Sequence, residues 1–282
     1  MQVLKIKNQL IELKSPKIMG IINVSPDSFY LNSRKNTIKE VLNEIEKQLQ
    51  EGADFIDIGA MSSRPQAIYL PEKEELDRLK PIVIAIEREF PNALFSVDTF
   101  SSTVTKFVLD HGVGIINDIS AFQFNEKLFE VLASYKPCYI LMHNNNDFQK
   151  MHNSFQYESI FKECLKFFTE KLVLLKENNI NDVIIDLGFG FAKNLDQNYS
   201  LFQFIKEFTI LNRPILVGVS RKSMIYKLLD IDIEDSQNGS TVLHTLALLK
   251  GAKILRVHDV APAKEVIKIF EKLNLFSDIH HK

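Results

Sequence analysis

Residues 94–142 read LFSVDTFSSTVTKFVLDHGVGIINDISAFQFNEKLFEVLASYKPCYILM. Three short runs rich in β-branched and aromatic residues, Leu94–Val97, Ile115–Asn117 and Cys138–Met142, have the composition of strands. Between them lie Ser102–Asp110 and Glu126–Ala133, whose apolar residues recur at three- and four-residue intervals, the spacing of amphipathic helices. Gly112 stands just past the first of these, where a left-handed helix cap is expected. A strand, a helix and a strand repeated in this way build a parallel sheet from crossover units.

The same alternation extends in both directions. Strands are expected at Ile18–Val24 and Phe55–Ile58 before this stretch, and at Val183–Asp186, Ile215–Val219 and Ile254–Val257 after it. Helices are expected at Ile38–Gln50, Glu74–Glu89, Tyr157–Glu177, Asp196–Glu207, Gly239–Lys250 and Ala263–Leu273, with Gly52 and Gly251 as further caps. Eight such units favour an α/β fold of the (β/α)8 TIM-barrel type over an open doubly wound sheet. Val3–Lys7 and Leu10–Leu13 precede them as an N-terminal β-hairpin. No Ser/Gly/Pro-rich linker or low-complexity segment interrupts the chain, so residues 1–282 are read as one domain.

Charge and composition exclude several classes of function. The chain carries 34 Lys+Arg against 36 Asp+Glu, a net charge of −2, which removes the electrostatic reason to expect nucleic acid. Apolar runs such as Pro81 to Ile86 fall far short of the roughly 18 residues that a membrane span needs. Met1 to Leu13 alternates apolar and charged residues, unlike a secretory signal, so the expected location is cytoplasmic. The two cysteines, Cys138 and Cys164, show no CxxC spacing and read as reduced, buried residues.

In a barrel of this kind the residues at the C-terminal ends of the strands face the active site. Here they are strongly polar: Asn23; Ser62, Ser63 and Arg64; Asp98 and Thr99; Asn117 and Asp118; His143 and Asn144 beside Met142; Asp186; Ser220, Arg221, Lys222 and Ser223; Arg256, His258 and Asp259. Plain structural readings compete at some of these positions. Asp98 or Asp118 could cap a helix, the favoured reading for Asp118, and His143 fits a core edge as well as a ligand. Asp186 ends an apolar run and would be a costly buried carboxylate without a partner. Lys222 at a helix start opposes the helix dipole, which argues for function. The loops after the last two strands carry Arg221, Lys222, Arg256 and His258, so an anion is expected there. Asp98, Asn117, Asp186 and Lys222 together suit a flat heterocycle with an amino-pyrimidinone edge.

Several stretches resemble the dihydropteroate synthase family. They are Ile18-Met19-Gly20-Ile21-Ile22-Asn23-Val24-Ser25-Pro26-Asp27-Ser28-Phe29, Gly52-Ala53-Asp54-Phe55-Ile56-Asp57-Ile58-Gly59 with Ser62-Ser63-Arg64-Pro65, Ser96-Val97-Asp98-Thr99, Ile116-Asn117-Asp118, Leu141-Met142-His143, Ile185-Asp186-Leu187-Gly188-Phe189-Gly190-Phe191, Gly218-Val219-Ser220-Arg221-Lys222-Ser223 and Leu255-Arg256-Val257-His258-Asp259. The resemblance implies condensation of 6-hydroxymethyl-dihydropterin diphosphate with p-aminobenzoate, giving dihydropteroate and diphosphate. It implies that Asp98, Asn117, Asp186 and Lys222 hold the pterin with Met142 near its ring. Arg64, Arg256, His258 and Asn23 would meet the diphosphate, with Mg2+ beside Asn23. Phe29, Pro65, Phe191 and Ser223 would form the p-aminobenzoate pocket, with Ser63 among the substrate-binding residues. Arg64, Lys222, Arg256 and His258 are the implied catalytic set. A homodimer and a sulfonamide target are implied as well. The match departs from the family at Leu31-Asn32-Ser33, Ala60-Met61, Gln66, Leu187 and Ala192. An alternative, a pterin-binding barrel that moves a methyl group to a corrinoid, has no use for the Arg256 and His258 anion pair.

Overall fold

A computed structural model describes residues 2–24, 34–60, 70–144 and 155–277. Eight short strands, β3 (Lys17–Asn23), β4 (Phe55–Gly59), β5 (Phe95–Asp98), β6 (Ile115–Asp118), β7 (Cys138–Met142), β8 (Val183–Asp186), β9 (Ile215–Val217) and β10 (Ile254–Val257), run parallel. They close into a barrel because β10 pairs with β3, setting Ile254 against Lys17 and Val257 against Gly20. The N-terminal hairpin, β1 (Val3–Ile6) and β2 (Gln9–Glu12), pairs Val3 with Glu12 and Ile6 with Gln9.

Two apolar layers follow from the period of two along a strand. One face of each barrel strand points inward, and Met19, Phe55, Leu94, Ile115, Ile140, Ile184, Leu216 and Ile254 fill the lower barrel together with Leu4, Ile6 and Leu13 of the hairpin segment. The hairpin thus plugs the N-terminal mouth. The opposite faces, with Ile56, Val97, Ile116, Tyr139, Ile185 and Leu255, form the larger core against the helices.

The surrounding helices are α1 (Arg34–Glu51), α2 (Glu72–Glu89), α3 (Ser102–Asp110), α4 (Glu126–Tyr135), α5 (Ile160–Glu177), α6 (Leu195–Gln203), α7 (Ser223–Leu229), α8 (Gln237–Leu249) and α9 (Val260–Ser277). Side-chain caps start several of them: Ser101 accepts from the Val104 amide, Ser159 from Lys162, and Asn194 forms a reciprocal pair with Gln197. Two expectations need correction. The helix expected over 196–207 ends at Gln203 and continues as a 3₁₀ turn at Glu207–Leu211, and an additional short helix, α7, lies between β9 and α8. Asp118 does not cap a helix. It closes the 118–122 turn, accepting from the Ser120 amide (2.7 Å) and hydroxyl, the Phe122 amide (2.6 Å) and the Tyr139 hydroxyl (2.7 Å).

Cys138 and Cys164 are both free and buried. Among the described residues no helix is long and apolar enough to cross a membrane.

Candidate active site

Counting two residues up from the apolar inner layer keeps to the inward face of each strand. That step leads from Phe55 to Asp57, from Ile115 to Asn117, from Ile140 to Met142, from Ile184 to Asp186 and from Ile254 to Arg256. On β5 it leads from Leu94 to Ser96 and then Asp98. A polar layer therefore sits directly on an apolar floor, where solvation is poor and charges must satisfy one another.

Arg256 organises that layer. Its Nε donates to Asp57 Oδ2 at 2.7 Å and one terminal nitrogen to Asp98 Oδ2 at 3.0 Å. The Asn117 amide donates to the same Asp57 oxygen at 2.9 Å, while the buried Asp57 Oδ1 has no hydrogen-bond partner among the described residues. Burial acts against the Arg256 charge, but Asp57 and Asp98 outweigh it and hold the guanidinium firmly protonated. Burial raises the Asp98 pKa, with Arg256 opposing and the nearby carboxylates of Asp57, Asp118 and Asp186 adding to the rise.

Asp186 and Lys222 form the other half. Asp186 Oδ1 accepts from the Gly188 amide at 2.8 Å, and burial raises its pKa against the pull of Lys222. Lys222 Nζ donates to the Phe189 carbonyl and lies 4.9 Å from the centre of the Phe191 ring. Desolvation pushes its pKa down to about 8, with Asp186 working the other way. Lys222 is the residue before α7 and makes no side-chain cap, so its ammonium turns away from the helix start.

The expected site residues therefore separate. Asp98, Asn117, Asp186, Lys222 and Arg256 meet in one layer, with the buried Met142 paired beside Asp186 in the β7–β8 register. Phe191 lies under Lys222, and Ser223 opens α7. His258 stands at the rim, its Nδ1 and backbone amide each 3.2 Å from Ser220 Oγ. Asn23 is the exposed last residue of β3. Phe29, Ser63, Arg64 and Pro65, with the departures at Leu31, Met61 and Gln66, lie outside the described residues. Arg221 leaves the expected cation group, because it forks onto Asp259 at 2.8 and 2.9 Å and donates to the Glu234 carbonyl. His143 is a core-edge residue, packed on Phe167 and pushed far below its usual pKa by burial.

Two residues have no role assigned from the sequence. Asp57 is the lone charge within Phe55-Ile56-Asp57-Ile58, and alternation along that run would have placed it inward. Lys193 precedes the Asn194 cap of α6, one residue further from its helix than Lys222 is from α7, and near the same unfavourable end of the dipole.

The donor set bears on metal binding. Among the described residues no three His, Cys, Asp or Glu side chains group to hold an ion. Mg2+ in general needs few protein ligands when a substrate brings phosphate oxygens, and the carboxamide of Asn23 is an oxygen donor suited to that mode.

A family model described as "Pterin binding enzyme" matches residues 19–258. Dihydropteroate synthase of Escherichia coli is 36% identical over 263 residues, covering 93% of each chain. The chain belongs to the dihydropteroate synthase family of pterin-binding enzymes. A bifunctional dihydropteroate synthase/dihydropteroate reductase of Helicobacter pylori is 40% identical over 92% of this chain and 68% of its own length. Among solved structures of the family, the Yersinia pestis dihydropteroate synthase in a sulfonamide drug complex superposes with a TM-score of 0.89 at 34% identity, covering 97% of this chain and 99% of that one. The Xanthomonas albilineans dihydropteroate synthase with 4-aminobenzoic acid gives 0.87 at 30% identity, covering 96% and 98%.

Proposed function

We propose that the chain performs the family reaction, joining 6-hydroxymethyl-7,8-dihydropterin diphosphate to p-aminobenzoate, with its work divided as follows. The inward layer of Asp98, Asn117, Asp186 and Lys222 on a closed apolar floor carries this reading. It offers acceptors, an amide of both characters and a cationic donor, the complement of an amino-pyrimidinone edge. Asp186 accepts from the ring donors, Asn117 and Lys222 meet the neighbouring heteroatoms, and Met142 packs against the ring. Arg256 has five N–H groups, of which the Asp57 and Asp98 pairs occupy two, so it serves the pterin layer and the diphosphate above it.

The reaction breaks the bond between the pterin methylene and the diphosphate oxygen, whose electron pair leaves with the diphosphate. The p-aminobenzoate nitrogen forms the new bond to that methylene and releases a proton. No protein nucleophile is required, and the side chains contribute positioning and electrostatics. Arg64, Arg256 and His258 stabilise charge on the leaving group, while Asp98 and Asp186 favour the cation-like carbon. Magnesium held by Asn23 together with the diphosphate oxygens would neutralise part of that charge. Phe29, Pro65, Ser63, Phe191 and Ser223 receive p-aminobenzoate, its carboxylate toward the start of α7.

The working unit in this reading is a homodimer. Val242, Leu246 and Leu249 of α8 and Ile269 and Leu273 of α9 expose large apolar side chains on two helices that pack together, which supports pairing through that face.

A purified-chain assay with both substrates and Mg2+ tests the proposal. Formation of dihydropteroate with one equivalent of diphosphate is expected, and pterin turnover without p-aminobenzoate consumption would overturn it.

A further inference from the structure

Lys193 is buried at the edge of the site, and its partners carry no formal charge. Its Nζ lies 3.0 Å from His143 Nδ1, 3.0 Å from the Gly188 carbonyl and 3.0 Å from the Phe191 carbonyl, with the His143 carbonyl farther off at 3.5 Å. The two carbonyls and the ring nitrogen match the three N–H donors of an ammonium, the form Lys193 keeps below about pH 8, to which burial lowers its pKa. Since an ammonium only donates, Nδ1 of His143 accepts and the ring proton sits on Nε2.

The segment that Lys193 grips is unusual. Gly188, Gly190 and Ala192 have φ of +68°, +83° and +52°, so alternate residues are left-handed and no helix or strand ladder runs through them. The same segment presents the Phe189 carbonyl and the Phe191 ring to Lys222. We propose that Lys193 is a positioning residue: its ammonium ties residues 188–191 to the end of β7 at His143, and the tied segment holds Lys222 aimed at the substrate. This deepens the functional reading above and rests on it. A purely structural role predicts something else: Lys193→Met leaves three buried acceptors unmet and lowers stability, with an effect on binding that does not depend on Lys222.

Coupling between Lys193 and Lys222 separates the two roles. Calorimetric titration of the full chain with 6-hydroxymethyl-7,8-dihydropterin diphosphate is expected to show Lys193→Met weakening binding at least fivefold. In a Lys222→Ala background the same change should weaken it less than twofold, since the residue acted upon is gone. His143→Asn keeps an acceptor near the Nδ1 position and should stay within twofold of wild type, whereas His143→Leu should reproduce the fivefold loss. The histidine pair carries the test if Lys193→Met does not fold. Equal losses in both backgrounds, or equal effects of Asn and Leu at 143, would overturn the inference while leaving the functional reading standing. A wild-type chain that binds no pterin would overturn both.

Discussion

Arg256 and Lys222 are cations in one barrel mouth, held in opposite ways. Arg256 bridges two carboxylates that hold it charged, so Arg256→Ala strands the fully buried Asp57 and the partly exposed Asp98. Uncompensated buried charge costs about 3–5 kcal/mol, and solvent at Asp98 moves the expected loss to the lower end, read by urea unfolding. Arg256→Lys should recover only part of it, since a point charge cannot span both acceptors with a planar fork. Lys222 instead has its pKa pushed down to about 8 by burial. Between pH 8 and the unfolded value near 10.4 the unfolded chain binds more protons, so this residue's contribution to stability rises with pH. The melting temperature of Lys222→Met should therefore exceed that of wild type by most below pH 8, and the gap should narrow toward pH 10. A gap independent of pH would mean that Lys222 is not desolvated. Asp186 and Lys222 were legible in the sequence because each breaks a local rule, a carboxylate closing an apolar strand and a cation at a helix start. Asp57 was not, because attention to strand ends passes over a charge two residues inside; only the inward parity of β4 reveals it.

At the scale of elements, the loop after β8 has the least tolerance. A Cβ on Gly188 would lie 2.0 Å from the His143 carbonyl oxygen, and its φ of +68° disfavours any side chain. Gly188→Ala should therefore lower both the melting temperature and kcat/KM, because relieving the clash shifts the backbone that holds Asp186 Oδ1 and Lys222. An unaltered kcat/KM would show that the loop does not position the site. The strands were the most readable elements: Cys138–Met142, Val183–Asp186 and Ile254–Val257 stand as their β-branched and apolar composition indicated. The end of α6 was not legible, since the apolar spacing that marks a helix continues through Phe204, Ile205 and Phe208; across the change to a 3₁₀ turn Ile205 and Phe208 stay buried and Phe204 partly so. The seven residues of α7 are too few for helical periodicity to register.

At the scale of the whole molecule, a closed apolar floor plugged by the hairpin directs all ligand access to the C-terminal mouth. With a net charge of only −2, attraction of an anionic substrate must come from that mouth, so diphosphate binding should weaken as salt rises from 0.05 to about 0.5 M. If α8 and α9 form the dimer face, Leu249→Glu with Ile269→Glu should yield a monomer in sedimentation velocity, and an unchanged sedimentation coefficient would remove that face from the assembly. Recognition of a pterin by the inward polar layer is tested by calorimetric titration of wild type and Asp186→Asn with 6-hydroxymethyl-7,8-dihydropterin diphosphate. One site per chain is expected for wild type. Replacing the paired acceptors by an amide should cost roughly 2–5 kcal/mol of binding, a loss on the order of 30-fold or more. Equal affinity in the two proteins would mean that the Asp186 layer does not hold the pterin ring.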